Sequence, residues 1–324
     1  MDRLLDHHPP SPIEVLETEA LVKKGVRLLV KRDDLLRINE QSAFCGNKWR
    51  KLKYNLKEAR RRELGTLLTF GGAFSNHLAA VAEAGQLFDF QTIGIVRGEA
   101  HLPLNPTLQF CQDCGMRLHY LDRTTYRKKH EPVFTEWLRQ QFGEFYLIPE
   151  GGTNALALQG VAEMVPEVEA QIGNEFPNYL AVACGTGGTL AGLIAGLKGK
   201  SQAIGFSVLK GAFLQSDVAQ LLSGNSTPSF SNWHIQTDYH CGGYAKFTPE
   251  LIQFIHQFKA QFHISLDPVY TGKLFFGLFD LIQKDYFPPG STVLAVHTGG
   301  LQGIAGFNAR HGNKYKASCR LKPF

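Results

Sequence analysis

Four short apolar runs in this chain each stop against glycine, and that punctuation restricts the fold more than any other feature. Leu67-Leu68-Thr69-Phe70 meets Gly71-Gly72, and Thr92-Ile93-Gly94-Ile95-Val96 meets Arg97-Gly98. Leu180-Ala181-Val182-Ala183 meets Cys184-Gly185, and Thr292-Val293-Leu294-Ala295-Val296 meets His297-Thr298-Gly299-Gly300. A fifth run, Ala203 to Val208, has the same character. Continuous apolar strands of this kind are buried on both faces. The intervening segments carry helical periodicity: Leu52, Leu56 and Ala59 share a face, with Lys53, Lys57 and Arg60 elsewhere. Ala155 to Val168 and Leu190 to Leu197 read as further helices. The β-α-β-α order predicts an α/β fold of mostly parallel, twisted sheets flanked by helices. Ligands in such sheets bind beyond the carboxyl ends of the strands, where the glycine motifs lie.

With 324 residues, the chain is long enough for two domains at roughly 100–200 residues each. Its 44% apolar and 19% charged residues are those of an ordinary globular protein. The formal net charge of +5 is mild, and the densest basic run, Arg60-Arg61-Arg62, ends a helix, where cations suit the dipole. No basic stripe interleaved with aromatics suggests a nucleic-acid partner. The start, Met1 to Pro10, lacks the apolar centre of a signal peptide, and no stretch nears the ~20 apolar residues of a membrane span. Six cysteines show no disulfide framework, so a cytoplasmic, reducing location is expected. Cys111 and Cys114 form one CxxC without a second pair, and twelve histidines give no ligand spacing, so no metal site is expected.

Five segments carry candidate chemistry. Lys48, in Gly46-Asn47-Lys48-Trp49, opens a helical pattern after a loop that follows Lys31-Arg32-Asp33-Asp34. Alone it reads as a surface lysine, but a held amine that loses its proton can attack carbonyls. Gly185-Thr186-Gly187-Gly188-Thr189 is neither GxGxxG nor a P-loop, and it suits a single phosphate better than a pyrophosphate. A lysine for an imine and a separate phosphate nest are what pyridoxal phosphate (PLP) requires. Phe70 to His77 ends a strand and begins a helix, with Ser75 or Asn76 as N-cap; the same N–H groups can hold a carboxylate. Thr298 reads either as the cap of a following helix or as a hydroxyl aimed at a cofactor ring. Tyr244 and Tyr270 lie beside glycine turns, where packed aromatics are the commoner reading.

Taken together, GNKWRKL, GGAFSNH, PEGGTN (Pro149 to Asn154), CGTGGT, GGYAK (Gly242 to Lys246), DPVYTGK and HTGG run from Lys31 to Gly300. In combination they resemble the 1-aminocyclopropane-1-carboxylate (ACC) deaminase / D-cysteine desulfhydrase family of PLP enzymes. The resemblance implies a two-domain, fold type II architecture like the tryptophan synthase β-chain. Residues 1–50 and 156–324 would form the larger, PLP-binding domain and 51–155 a smaller insertion. It also implies that Lys48 bears the cofactor, that Asn76 contacts its ring hydroxyl, and that Gly185, Thr186, Gly187, Gly188 and Thr189 cradle its phosphate. Thr298 would complete the cofactor site. Ser75, Asn76 and His77 would hold the substrate carboxylate, with Thr271 beside the substrate; some family members carry an amide where His77 stands. Lys48, Ser75, Tyr244 and Tyr270 would be the catalytic group. A homodimer is implied as well, with a small amino acid as substrate.

Two positions separate the branches of that family. Deaminases carry glutamate where Thr271 stands, and an apolar residue where Thr298 stands; desulfhydrase-like members carry threonine at both. A glutamate keeps the pyridine nitrogen protonated, whereas a threonine hydroxyl shares only a hydrogen bond and leaves a weaker electron sink. Opening a cyclopropane demands the stronger sink; expelling thiolate does not. The expectation is therefore α,β-elimination from D-cysteine or a relative, giving pyruvate, ammonia and sulfide. Three alternatives stand beside it: ACC deamination to 2-oxobutyrate, a non-catalytic PLP-binding protein, and a nicotinamide-dependent reductase built on Gly185 to Gly188.

Overall fold

The computed structural model describes residues 2–6, 8–173, 176–224 and 230–312. Ten strands build two sheets. They are β1 (Ile13–Leu16), β2 (Arg27–Lys31), β3 (Thr66–Gly72), β4 (Gln91–Arg97), β5 (Arg117–Leu121), β6 (Tyr146–Ile148), β7 (Tyr179–Cys184), β8 (Gln202–Ser207), β9 (Trp233–Gln236) and β10 (Thr292–Val296). The larger sheet has the order β1-β2-β10-β7-β8-β9, and the smaller has β5-β4-β3-β6. Every pairing is parallel except that of β1 with β2. All five apolar runs are strands, as their composition predicts.

Double-sided burial explains why those runs lack a polar face. Along β2, Leu28 and Val30 pack into one cluster with Phe206 and Phe275, while Leu29 faces the other way with Leu190 and Ile194. Along β3, Leu67 joins Trp49 and Leu78, while Leu68 and Phe70 join Phe134 and Leu138. Successive side chains on a strand point to opposite faces, so both faces here are core.

Two sequence expectations fail locally. Ala155 to Val168 is two helices, Ala155–Ala162 and Met164–Ile172. Pro166 has no N–H to give Ala162, so a continuous helix would lose that bond there. Thr298 caps no helix; the next one, Gly303–His311, has Gln302 at its N-cap. Ser75 does cap its helix, Asn76–Phe88, accepting from Leu78 N at 3.3 Å. No helix among the described residues is long and apolar enough to cross a membrane.

Candidate active site

Lys48 sits in the first turn of the Gly46–Arg61 helix. That helix begins against the end of β10: Asn47 N donates to Thr298 O at 3.1 Å. Gly46 has φ +55°, and a Cβ there would fall 2.2 Å from Thr298 O, so the close approach requires glycine. From the other side, the Glu83 carboxylate accepts Phe44 N at 2.7 Å and also Ala43 N, fixing the chain just before the helix. Asn47 then reaches two ways. Its Nδ2 donates to Thr189 Oγ1 at 3.2 Å, and its Oδ1 accepts from Lys48 Nζ at 3.1 Å. A single side chain thus ties the amine to the glycine–threonine loop. Burial brings the Lys48 pKa down to about 8 against the weaker charge effects of Cys45 and Asp267, and no carboxylate among the described residues bonds it.

The loop itself leads into the Gly188–Leu197 helix, whose N-cap, Gly187, offers no side-chain cap. Uncapped first-turn N–H groups and the positive dipole end make an anion site. Lys51, one turn after Lys48, completes it. Its side chain is 2% exposed, and its Nζ donates to Gly151 O at 3.0 Å and Thr153 Oγ1 at 3.1 Å. A Cβ on Gly188 would lie 3.0 Å from that Nζ and 2.6 Å from Thr153 Oγ1, so the cradle is open only because residue 188 is glycine. Thr186 Oγ1 meets Thr153 Oγ1 at 2.7 Å, joining the loops that follow β6 and β7. Burial, with the Lys48 charge next, holds the Lys51 pKa well below its usual value. Lys51 escaped the sequence reading; its signal was the Lys-x-x-Lys spacing, which puts both amines on one helix face.

On the opposite wall stand Asn76 and His77. Asn76 Nδ2 approaches Gly300 O at 3.4 Å, and its buried Oδ1 has no partner. The Thr69 hydroxyl donates to Ile148 O, so it accepts from His77 Nε2 at 2.8 Å. That leaves His77 Nδ1 as a buried lone pair without a donor. Burial, then the charges of Lys48 and Lys51, push the His77 pKa well down, so the ring is neutral. Ser75, as the cap of this helix, lies at the same turn.

Tyr270 and Tyr244 form the third wall. Their rings meet edge to face, centroids 6.1 Å apart at 70°. A Cβ on Gly185 would fall 3.6 Å from the Tyr270 hydroxyl, so this tyrosine overlooks the glycine loop. Burial raises both tyrosine pKa values, Tyr270's well above the ordinary 10. Thr298 is buried at the Lys48 helix start. Thr271 differs from expectation. It is fully buried, its Oγ1 donates to Asp267 Oδ1 at 2.8 Å and accepts Asp267 N at 2.9 Å. Its one proton is spent on Asp267, so it has no proton to give a ligand. Asp267 also accepts the N–H groups of Val269, Tyr270 and Thr271 at 2.8 Å. The local pattern Asp-Pro-x-x-Thr was the available signal for that cap.

Loops following β3, β6, β7 and β10 therefore converge on one amine and one anion cradle, the crevice such sheets provide. The chain matches the model of the pyridoxal-phosphate dependent enzymes over residues 4–299, and it belongs to that family. It is 32% identical to the bifunctional D-cysteine desulfhydrase/1-aminocyclopropane-1-carboxylate deaminase, mitochondrial, of Arabidopsis thaliana, over 92% of this chain and 78% of that one. Among solved structures it resembles an ACC deaminase homologue with TM-score 0.79 and 29% identity, covering 97% of this chain and 98% of the other. It also resembles O-ureido-L-serine synthase with TM-score 0.65 at 14% identity, covering 93% and 92%, a likeness of fold alone.

The cofactor is pyridoxal phosphate, as the lysine and the nest imply. The residues present fit it. The uncapped helix start and the buried, carboxylate-free Lys51 match a phosphate. Lys48, with its depressed pKa, matches an aldehyde. The reductase alternative is set aside by the family.

Proposed function

We propose that this enzyme is a lyase that eliminates the β-substituent of a small amino acid, with D-cysteine or a relative as substrate and pyruvate, ammonia and sulfide as products. The relative from Arabidopsis thaliana carries the desulfhydrase activity in its name. When bound, pyridoxal phosphate supplies an aldehyde for amines and a ring that accepts the electron pair released at Cα.

Lys48 Nζ would hold the cofactor, and its free amine would take the Cα proton of the substrate. A pKa of about 8 lets it serve as a base near neutrality. Backbone N–H groups around Ser75, Asn76 and His77 receive the substrate carboxylate at the helix start. The Ser75 oxygen already accepts from Leu78 N, so its own proton remains free to donate. Asn76 Oδ1, which has no partner among the described residues, would be free to accept from the cofactor's ring hydroxyl. Lys51 and the Gly185–Thr189 loop hold the phosphate. Tyr270 and Tyr244, raised by burial and therefore protonated, give a proton to the departing sulfur.

One observation carries the choice of elimination over ring opening. Residue 271 is threonine, and its hydroxyl is bound to Asp267, so this position supplies no carboxylate to charge the ring nitrogen. The weaker sink suits loss of a thiolate. Thr271 would then meet the substrate, if at all, as a hydrogen-bond acceptor. The proposal includes a larger unit of residues 1–50 and 156–324 carrying one sheet, an insertion of 51–155 carrying the other, and a cytoplasmic homodimer.

A panel of D- and L-amino acids plus ACC tests the reading, following sulfide, pyruvate and 2-oxobutyrate. Sulfide and pyruvate from one cysteine enantiomer are expected. Abundant 2-oxobutyrate from ACC without sulfide would favour the deaminase. Visible cofactor absorbance with no product from any substrate would favour a non-catalytic PLP protein.

A further inference from the structure

Lys273 is completely buried on the Thr271–Gln283 helix, three residues after Tyr270, and no ion pair to it is found among the described residues. Its ammonium donates to Gly243 O at 2.7 Å and lies 3.5 Å from Val208 O. Burying an ammonium without an anion is expensive, and an apolar side chain of equal length would fill the space at no such cost. Burial draws its pKa down to about 8. Something in the fold must need this amine.

The turn it touches is unusual. Cys241, Gly242, Gly243 and Ala245 have φ of +50°, +92°, +113° and +54°. Left-handed backbone at the two non-glycine positions costs roughly 1 kcal/mol or more each and persists only where surroundings enforce it. Within the turn, Gly243 N bonds to His240 O at 3.0 Å and Lys246 N bonds to Gly243 O at 3.1 Å. Lys273 adds a charge-assisted bond from outside to that same Gly243 oxygen. Tyr244 follows directly. Its ring packs edge to face on Tyr270. One helix therefore bears Tyr270 at its start and, one turn on, the amine that fastens the Tyr244 turn.

We propose that Lys273 is a positioning residue whose ammonium clamps the Gly242–Lys246 turn to the Tyr270 helix and so holds Tyr244 against Tyr270. The inference rests on the two tyrosines acting as the proton-donating pair proposed above.

The test compares Lys273→Met, Tyr244→Phe and the double variant as holoenzymes. With the cysteine enantiomer that is turned over, K273M is expected to lower kcat about 10- to 100-fold, within the range of a positioned acid, and to change KM less than about twofold. The double variant should fall no further than Y244F, because the clamp acts only through Tyr244. Hydrogen exchange gives a readout independent of turnover. The Gly243 and Lys246 amides should exchange at least about tenfold faster in K273M, while those of the Pro249–Phe262 helix keep their protection. Losses that multiply, an unchanged kcat, or unchanged exchange at those two amides would each overturn the proposal. If the parent protein turns over no amino acid, the proposed function fails and the exchange arm alone decides Lys273. Should K273M not fold, Lys273→Gln, which keeps a donor but loses the charge, is measured with the same readouts and losses smaller than those stated for K273M are expected; unchanged kcat and exchange in it, or its failure to fold, would overturn the proposal.

Discussion

Three cations on one helix, Lys48, Arg50 and Lys51, are treated in opposite ways, and Lys31 at the end of β2 sides with Arg50. Arg50 binds Asp33 through Nε and Nη2 at 2.7 and 2.9 Å and binds Glu167 through Nη1 and Nη2, both at 2.8 Å. Lys31, fully buried, lies 3.1 Å from Glu167 and also donates to Ser11 O. Burial works against both charges; at Arg50, Asp33 and Glu167 outweigh it and raise the pKa, whereas at Lys31 burial prevails over Glu167 and Asp33 and the pKa falls despite the ion pair. Lys48 and Lys51 form no ion pair among the described residues; burial outweighs the charge of Asp267 at Lys48, and both pKa values fall. The contrast teaches how to separate structure from function among buried charges. A saturated cation is an internal joint. An unsaturated one at the cleft, as Lys48 and Lys51 are, is held ready for an anion or an electrophile that the fold itself does not contain, whereas Lys273 spends its ammonium on the Gly243 carbonyl.

The largest effect should come from removing the unpaired amine itself. Lys48→Ala is expected to abolish covalent cofactor attachment and cut turnover by at least about 10³-fold. Borohydride reduction followed by peptide mapping checks the attachment. Reduction that still labels this protein elsewhere would break the comparison, because Lys48 would then be an ordinary lysine.

Arg50→Met probes the saturated set. It leaves Asp33, which is 0% exposed, without its main partner, so unfolding free energy should drop by about 3–5 kcal/mol. Turnover per folded molecule should change little, since Arg50 touches neither the amine nor the glycine loop. Urea unfolding and kcat on the same samples separate the two. A variant of normal stability but low turnover would move Arg50 into the functional set.

The distinction between the sets was half legible in the sequence. Lys48 and the Gly185–Thr189 loop stood out because glycine at a strand end has a backbone meaning that survives translation into structure. The five apolar strands stood out because they are buried on both faces. β5 and β9 were missed because few of their residues are fully buried, and β6 because it has three residues. Lys51 looked like every other lysine in a basic helix. What sets it apart is Gly151 and Thr153, a hundred residues away in the chain. The bond of Thr271 was missed for the same reason in reverse: its hydroxyl proton goes to a carboxylate four residues earlier, a local bond that a ligand-centred reading passed over.

Lys51→Met sharpens the comparison at the second unpaired amine. A charge-assisted hydrogen bond is worth about 1.5–3 kcal/mol, so affinity for pyridoxal phosphate should weaken roughly 10- to 100-fold while affinity for pyridoxal, which lacks the phosphate, stays the same. The cofactor-free protein should gain stability, because a buried ammonium without an anion is removed. Equal weakening toward both forms of the vitamin would place Lys51 outside the phosphate cradle.

The smallest effect is a matter of pH, and its sign follows from burial. Lys48 has a folded pKa of about 8 against the usual 10.5, so folding disfavours its charged form. The resulting penalty is present in full below about 8, shrinks as pH rises from 8 toward 10.5, and is gone above that. At 1.36 kcal/mol per unit it amounts to about 3 kcal/mol. Cofactor-free protein carrying Lys48→Met should therefore be more stable than the parent at pH 7 and indistinguishable from it near pH 11. The parent's rate of covalent cofactor uptake should climb about fivefold from pH 7 to 8 and about tenfold from 7 to 9, following the neutral amine, and level off above about 9. A rate that keeps climbing to pH 10 would mean that Lys48 retains the pKa of a solvated lysine, and the opposition between saturated and unsaturated cations would lose its clearest member.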